Sequence, residues 1–417
     1  MHAFVIGAGV IGVTTAWQLA KNGWQVTLVD AQGEPAAVTS HANGGQLSYS
    51  YVAPLADPGV LPHLPEWLLR RESPLRFTPR LDPAQWAWCL KFLRACNSRT
   101  ATESTAQMLT LSYLSRNVLH EWLHEVPLEF SHAAHGKLIV YRSAALLDKT
   151  RSLVAYQAEH GSSQQVLDAD SCVSLEPALA SVQHDIAGAV YTPSEESGDC
   201  AQFTHQLFDR LSTLKSVEIR MGDRVRRLHR AGGDIQGVLM EGGEVLQADH
   251  YVVAAGMGSV SLLEPLGSRP ALYPLKGFSL SVPCAPETPV PTISVTDYER
   301  KTVYARLGST LRIAAMVGIG SRDTRIEADR IALLRRQVSE LLPGLDLTEA
   351  QAWAGQRPAT PDGRPLIGRS RAAGNLWLNI GHGALGFTLA CGSSRLLSDL
   401  MEGREPSIEA HPFQPAC

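Results

Sequence analysis

Three glycines near the start have a spacing that serves one kind of chemistry well. Gly7-Ala-Gly9-Val-Ile-Gly12 follows the apolar run Ala3 to Ile6 and leads into a helical pattern from Val13 to Lys21. Gly7 permits a tight turn. Gly9 removes a side chain where a pyrophosphate must approach the backbone, and Gly12 allows close helix–strand packing. The helix N-terminus offers free N–H groups and the positive end of a dipole to phosphates, with Val10 and Ile11 among the expected cofactor contacts. A second apolar strand, Gln25 to Val29, ends in Asp30, 18 residues beyond Gly12. A carboxylate there accepts hydrogen bonds from a ribose diol and repels a 2′-phosphate. The pattern predicts a bound dinucleotide.

Two further segments favour FAD over NAD. Thr39 to Gln46 is small, polar and glycine-rich where an NAD domain would normally continue with another strand and helix. It reads as an extended loop against a flat, polar ring, with Ser40, His41, Asn43, Gly44, Gly45 and Gln46 as cofactor contacts. Residues 375–400 repeat the strand, glycine turn and helix pattern. Gly381, Gly383 and Gly386 make the turn, and Thr388 lies one step into the helix. A helix start aimed at the flavin ring would stabilise the negative charge of its reduced form. A third apolar strand, Gln247 to Gly256, ends in small residues, so Ala255 and Gly256 are expected beside the cofactor.

These stretches, with A-N-G-G-Q-L-S-Y-S-Y near position 42, G-D-C-A-Q-F-T at 198–204, Y-P-L-K-G-F-S-L at 273–280 and R-P-A-T-P-D-G-R-P-L-I-G at 357–368, are similar to those of the D-amino-acid-oxidase-like flavoproteins. Within that family the chain most resembles the branch that dehydrogenates D-amino acids. The blocks span almost the whole chain in the same order. The resemblance implies a Rossmann-like FAD domain and a second, α+β domain with a mixed, largely antiparallel sheet. It also implies non-covalent FAD and oxidative deamination of amino acids. The sarcosine-oxidase branch attaches its flavin through a cysteine shortly before a T-P-D sequence. Here Ala354, Gly355 and Gln356 stand in that region, which argues against that linkage.

The cofactor carries the hard step, so the protein must chiefly orient the substrate. Arg357 is the first choice for a carboxylate anchor, because a guanidinium binds a carboxylate bidentately. It precedes Pro358 in the segment leading to the second glycine turn, where relatives by resemblance also use an arginine. Its competing role is an ion pair with Asp362. Tyr273 is expected to contact the substrate or roof the pocket, and Lys276 to meet solvent or the flavin edge. Tyr49 and Tyr51 are candidates for a gate. His382 is a candidate catalytic group, although a histidine facing the flavin or capping the helix is the favoured reading. Cys391 reads as core.

The elements that must position these groups suggest a discontinuous architecture. Segments 1–55, 190–270 and 345–405 form the expected FAD domain, 56–189 and 271–344 the substrate domain, and 406–417 a tail. Residues 82–125 read as largely helical. Lys and Arg total 37 against 41 Asp and Glu, so nucleic acid is not an expected partner. The seven scattered cysteines include no C-x-x-C pair, which argues against a disulfide scaffold or a metal site and for a reducing compartment. A strand that begins by Ala3 leaves no room for a signal peptide, so a cytoplasmic protein is expected. Trp67, Trp86 and Trp88 lie among Arg70, Arg71 and Lys91. That mixture suits either a cap over the pocket or a peripheral membrane contact, where a quinone or other carrier would take the electrons. The alternatives are a D-proline or hydroxyproline dehydrogenase, an oxidase of sarcosine or glycine, and a non-catalytic flavin subunit.

Overall fold

The computed structural model describes residues 1–62, 73–158 and 163–415. Trp67, Arg70 and Arg71 therefore lie outside the described residues. One layer is a six-stranded sheet in the order Leu366–Arg369, Leu376–Ile380, His250–Val253, His2–Ile6, Gln25–Asp30 and Val217–Met221. The last five run parallel, and Leu366–Arg369 joins antiparallel at the edge.

The central strands are apolar on both faces because both faces are covered. Ala3, Val5, Val26 and Leu28 pack with Val13, Phe203 and Leu389 of the Val10–Lys21, Cys200–Ser212 and Gly386–Met401 helices. Phe4, Ile6 and Val29 point the other way, onto Leu228 and Val238 of a small antiparallel sheet.

Register sets where these strands end. Ile6 lies opposite Val253, and Val253 opposite Leu378. The chain therefore leaves three adjacent strands at one edge, at Gly7, Ala254 and Gly381. Gly7 has φ 113°, and a Cβ there would sit 2.6 Å from the Ala254 carbonyl oxygen. The helix begins at Val10, sooner than the apolar periodicity suggests. Gly12 thus falls inside its first turn, where a Cβ would lie only 1.7 Å from the Gly7 carbonyl oxygen. Its part is packing, as its place in the motif suggests.

The second layer is a nine-stranded sheet. Its main order is Gln351–Ala359, Tyr273–Pro283, Thr310–Ile319, Thr302–Leu307, Ser294–Asp297, Lys137–Tyr141, Gly188–Thr192 and Gln165–Leu167. Pairing is antiparallel except between Ser294–Asp297 and Lys137–Tyr141, and where Leu75–Phe77 adds to Thr310–Ile319. The Ala328–Leu341 helix seals one face with Leu334, Val338 and Leu341 against Leu280 and Ile313. The strands Gly188–Thr192 and Gln351–Ala359 pair within this sheet, although the boundaries read from sequence, 190 and 345, give 190–192 and 351–359 to the other domain.

The helical stretch expected over 82–125 is two helices, Pro83–Ala95 and Ser98–Glu125. The break has a local cause. The Asn97 side chain accepts the Thr100 N–H at 2.9 Å and starts the second helix as a cap. Trp88 belongs to the core, stacked on Phe92 with its indole N–H on the Ala359 carbonyl at 2.9 Å. Trp86 stays half exposed. Among the described residues, no helix is long and apolar enough to cross a membrane.

The turn after Leu376–Ile380 encloses His382, which is 3% exposed and has Nε2 3.1 Å from Ser393 Oγ. Burial drives its pKa down from 6.5 to about 3, so the folded chain holds it neutral. Between those values the unfolded chain takes up a proton that the folded chain refuses. His382 therefore costs no stability above pH 6.5, and its neutral burial becomes a liability as pH falls toward 3, at ~1.4 kcal/mol per pH unit. His382→Asn should flatten the decline of thermal stability between pH 6.5 and 4. Equal declines in the two proteins would remove His382 as a cause.

Candidate functional site

A cavity of about 750 Å³ runs from the first glycine elbow, past the edge of the six-stranded sheet, to the inner face of the second sheet. Gly7, Gly9, Val10 and Ile11 line one end with Asp30. Asp30 is fixed by two backbone donors: Ala8 N–H reaches Oδ2 at 2.6 Å and Gln32 N–H reaches Oδ1 at 2.8 Å. Its remaining lone pairs are available to a diol. Ser40 Oγ accepts the Val10 N–H at 3.0 Å, so this loop serine already satisfies one donor at the helix start.

The 39–46 loop is clamped between the layers. Thr39 Oγ1 donates to the Gln356 carbonyl at 2.8 Å, Ser279 Oγ to the Ala42 carbonyl at 2.8 Å, and Arg312 Nη1 to the Asn43 carbonyl at 2.9 Å. Asn43 Oδ1 accepts the Gly45 N–H, which closes the turn. Asn43, Gly44, Gly45 and Gln46 line the cavity through its middle. Ala255 and Gly256 complete one wall, and Gly381, His382, Gly383, Gly386 and Thr388 another. The three glycine- and alanine-rich segments read as separate signals in the sequence thus meet around one space.

Arg357 extends from the Gln351–Ala359 strand onto the substrate-side wall. Its guanidinium lies over Gly277, where a Cβ would be 2.6 Å from Nη2. Only glycine leaves that room. Burial lowers its pKa from the ordinary arginine value. Among the described residues no carboxylate pairs with it. Asp362 is engaged by Arg364, whose Nε donates to Oδ2 at 2.9 Å, so the competing ion pair is taken by a neighbour. An enclosed guanidinium that lines a cavity and has no protein carboxylate to pair with is suited to receive an anion.

Five of the expected site residues do not line this cavity. Gly12 is packed inside the first helix turn. His41 points outward and is exposed. Tyr49 is buried with its hydroxyl donating to Glu196 Oε2 at 3.1 Å. Tyr273 packs on Trp88, its hydroxyl 3.4 Å from Asp82 Oδ2. Lys276 is 1% exposed and pairs with Asp323 at 3.0 Å and Glu327 at 3.1 Å. A buried ammonium needs anions, and these two hold it away from both solvent and cavity. Of the two gate candidates, Tyr51 does reach the cavity. Its hydroxyl lies 2.7 Å from Thr192 Oγ1.

Other wall residues escaped the sequence reading. Lys137 is the main one. Its Nζ donates to Gln46 Oε1 and Ser48 Oγ, both at 3.0 Å, and sits 4.6 Å from the centre of the Tyr51 ring. Burial pushes its pKa down from 10.5 to about 8, with Glu195 resisting the change. Gln356 Nε2 and Asn379 Oδ1 are buried in the cavity wall and have no hydrogen-bond partner among the described residues. Met316 holds a left-handed φ of 66° beside the register shift between Lys276 and Phe278, and lines the cavity with Trp353 and Val303. Asn379 did leave a trace in the sequence, as a lone polar residue inside an apolar strand.

A family model described as FAD dependent oxidoreductase matches residues 2–400. The D-amino acid dehydrogenase 2 of Ralstonia nicotianae is 48% identical over 423 residues, covering 99% of each chain. That of Pseudomonas aeruginosa is 47% identical, covering 99% of this chain and 97% of its own. Among solved structures, glycine oxidase from Geobacillus kaustophilus superposes with a TM-score of 0.76 at 20% identity, covering 100% of this chain and 98% of its own. That last likeness shows the fold, a Rossmann-like domain joined to a largely antiparallel one. The chain belongs to the family of FAD-dependent oxidoreductases.

Proposed function

We propose that the chain is a dehydrogenase that oxidatively deaminates D-amino acids with non-covalently held FAD. The observation that carries this reading is Arg357, an enclosed cation on the wall of the cofactor cavity with no carboxylate partner among the described residues. The names carried by relatives at 47–48% identity support the choice of substrate class.

The residues present fit FAD. The Gly7–Ile11 elbow would take the pyrophosphate and Asp30 the ribose. The 43–46 loop and the Gly381–Thr388 elbow would hold the ring. The orphaned Gln356 Nε2 and Asn379 Oδ1 are polar groups that a flavin edge could satisfy. When bound, FAD supplies the two-electron acceptor.

The rest of the task falls to the chain. Arg357 grips the substrate carboxylate and fixes the plane of Cα. The substrate ammonium must first lose a proton. Loss of the Cα hydrogen with its electron pair, to the acceptor that FAD would supply, would give an imine that water hydrolyses to a 2-oxo acid and ammonia. Lys137 holds Gln46 and Ser48 in place and sets the charge of the neighbouring wall, a charge that fades as pH rises through about 8. His382, neutral at working pH, lines the wall without adding charge.

The electrons pass to a quinone or another carrier. Trp86, Leu90 and Leu93 are 51%, 51% and 43% exposed and lie on one side of the Pro83–Ala95 helix, beside exposed Lys91 and Arg94. An apolar stripe edged by cations supports a peripheral contact with a membrane surface, where quinones reside.

Anaerobic mixing with a panel of amino acids, both enantiomers of each, tests the assignment. D-enantiomers should bleach the flavin. Bleaching only by glycine, N-methyl amino acids or L-enantiomers would contradict it, and no bleaching with any amine would favour a non-catalytic flavin subunit. Arg357→Ala should retain FAD while raising KM by about 100-fold, the scale of a lost charge-assisted bidentate contact. An unchanged KM would take Arg357 out of the anchoring role.

A further inference from the structure

Outside the cavity, three side chains from separate elements aim at one point near the surface. His120 comes from the Ser98–Glu125 helix, His132 from the loop before Lys137–Tyr141, and Glu196 from the short Glu196–Ser197 strand. His120 Nε2 is 2.7 Å from Glu196 Oε1, and His132 Nε2 is 2.9 Å from Oε2. One donor atom from each residue lies within 4.8 Å of the others. The two rings meet at 65°, and His132 is held by stacking on Phe130 at 5.1 Å. Glu196 is 2% exposed, whereas the imidazoles are 37% and 25% exposed. The carboxylate is thus fixed from beneath, and solvent reaches the nitrogens from above.

We propose that His120, His132 and Glu196 form a binding site for a divalent transition metal of the zinc type. Two imidazole nitrogens and one carboxylate oxygen are a donor set that suits Zn²⁺, and solvent can supply a fourth ligand. Binding requires each Nε2 to present its lone pair. Each ring then carries its proton on Nδ1, and any proton displaced passes to solvent. Two neighbours compete. Arg116 Nε stands 3.6 Å from Oε1, and the Tyr49 hydroxyl donates to Oε2 at 3.1 Å. They leave the site to bind reversibly instead of serving as a structural staple. The ligands stand 12 and 64 residues apart along the chain, which explains why no spacing motif announces them.

The site also touches the machinery of the cavity. Glu196 pairs in the sheet with Leu47, one residue beyond cavity-lining Gln46, and holds Tyr49 on the same loop. A metal that takes Oε2 from Tyr49 acts directly on that loop.

Calorimetric titration of chelator-treated holoprotein with zinc chloride tests the proposal. One saturable site per chain is expected. His120→Ala and His132→Ala should each weaken it by about tenfold or more, while the yellow flavin absorbance stays intact as the sign of a folded chain. Without recourse to variants, the unaltered protein should bind zinc far more tightly than magnesium, because two imidazoles dominate the donor set. No saturable binding, binding unchanged in both variants, or equal affinity for zinc and magnesium would each overturn the proposal.

Discussion

The site depends on the register of three parallel strands. His2–Ile6, His250–Val253 and Leu376–Ile380 are hundreds of residues apart in sequence, yet they pair so that Ile6, Val253 and Leu378 form one row across the sheet. At the carboxyl ends of such strands the chain must turn away, and the turns create a crevice. Two of these turns feed helices, Val10–Lys21 and Gly386–Met401, whose starts face the same space. Slipping His2–Ile6 by one residue against His250–Val253 would bring core side chains to the crevice and remove the close approach of Gly7 to Ala254.

The second sheet contributes what the first lacks. Parallel strands and their turns supply backbone N–H groups and small residues, which suit phosphates and a flat ring. The cation they bring to the wall, Arg224, is paired with Glu241 at 3.3 Å. The antiparallel sheet brings Arg357 on its edge strand and Lys137 five strands further along. It also pins the 39–46 loop through Ser279 and Arg312. The same contacts that join the two layers therefore shape the wall between them. Burial of the Arg357 guanidinium costs free energy, and a bound carboxylate recovers it.

Much of this was legible in the sequence because the informative signals are local. A strand, a glycine turn and a helix within thirty residues need no long-range knowledge, and both elbows lie at the cavity. The place of Arg357 on the cavity wall was within reach through its position a short way before the second elbow and through the family resemblance. The misplaced residues have the opposite character. Lys276 and Tyr273 share the Tyr273–Pro283 strand with cavity-lining Gly277 and Ser279. A register shift after Lys276 and distant partners, Asp323, Glu327, Asp82 and Trp88, decide where their side chains go. Lys137 was missed because a lysine at the head of an apolar strand ordinarily reaches for water. Here Gln46 and Ser48, about ninety residues earlier, hold it inside.

The central claim is that Arg357 receives the carboxylate of the substrate beside the flavin. It can be tested without any turnover, using isobutyrate, an acid with no amine to oxidise, and following the flavin absorption spectrum. The account predicts a saturable spectral perturbation in the unaltered protein that is lost in Arg357→Met at equal flavin content. An identical perturbation in Arg357→Met would contradict it.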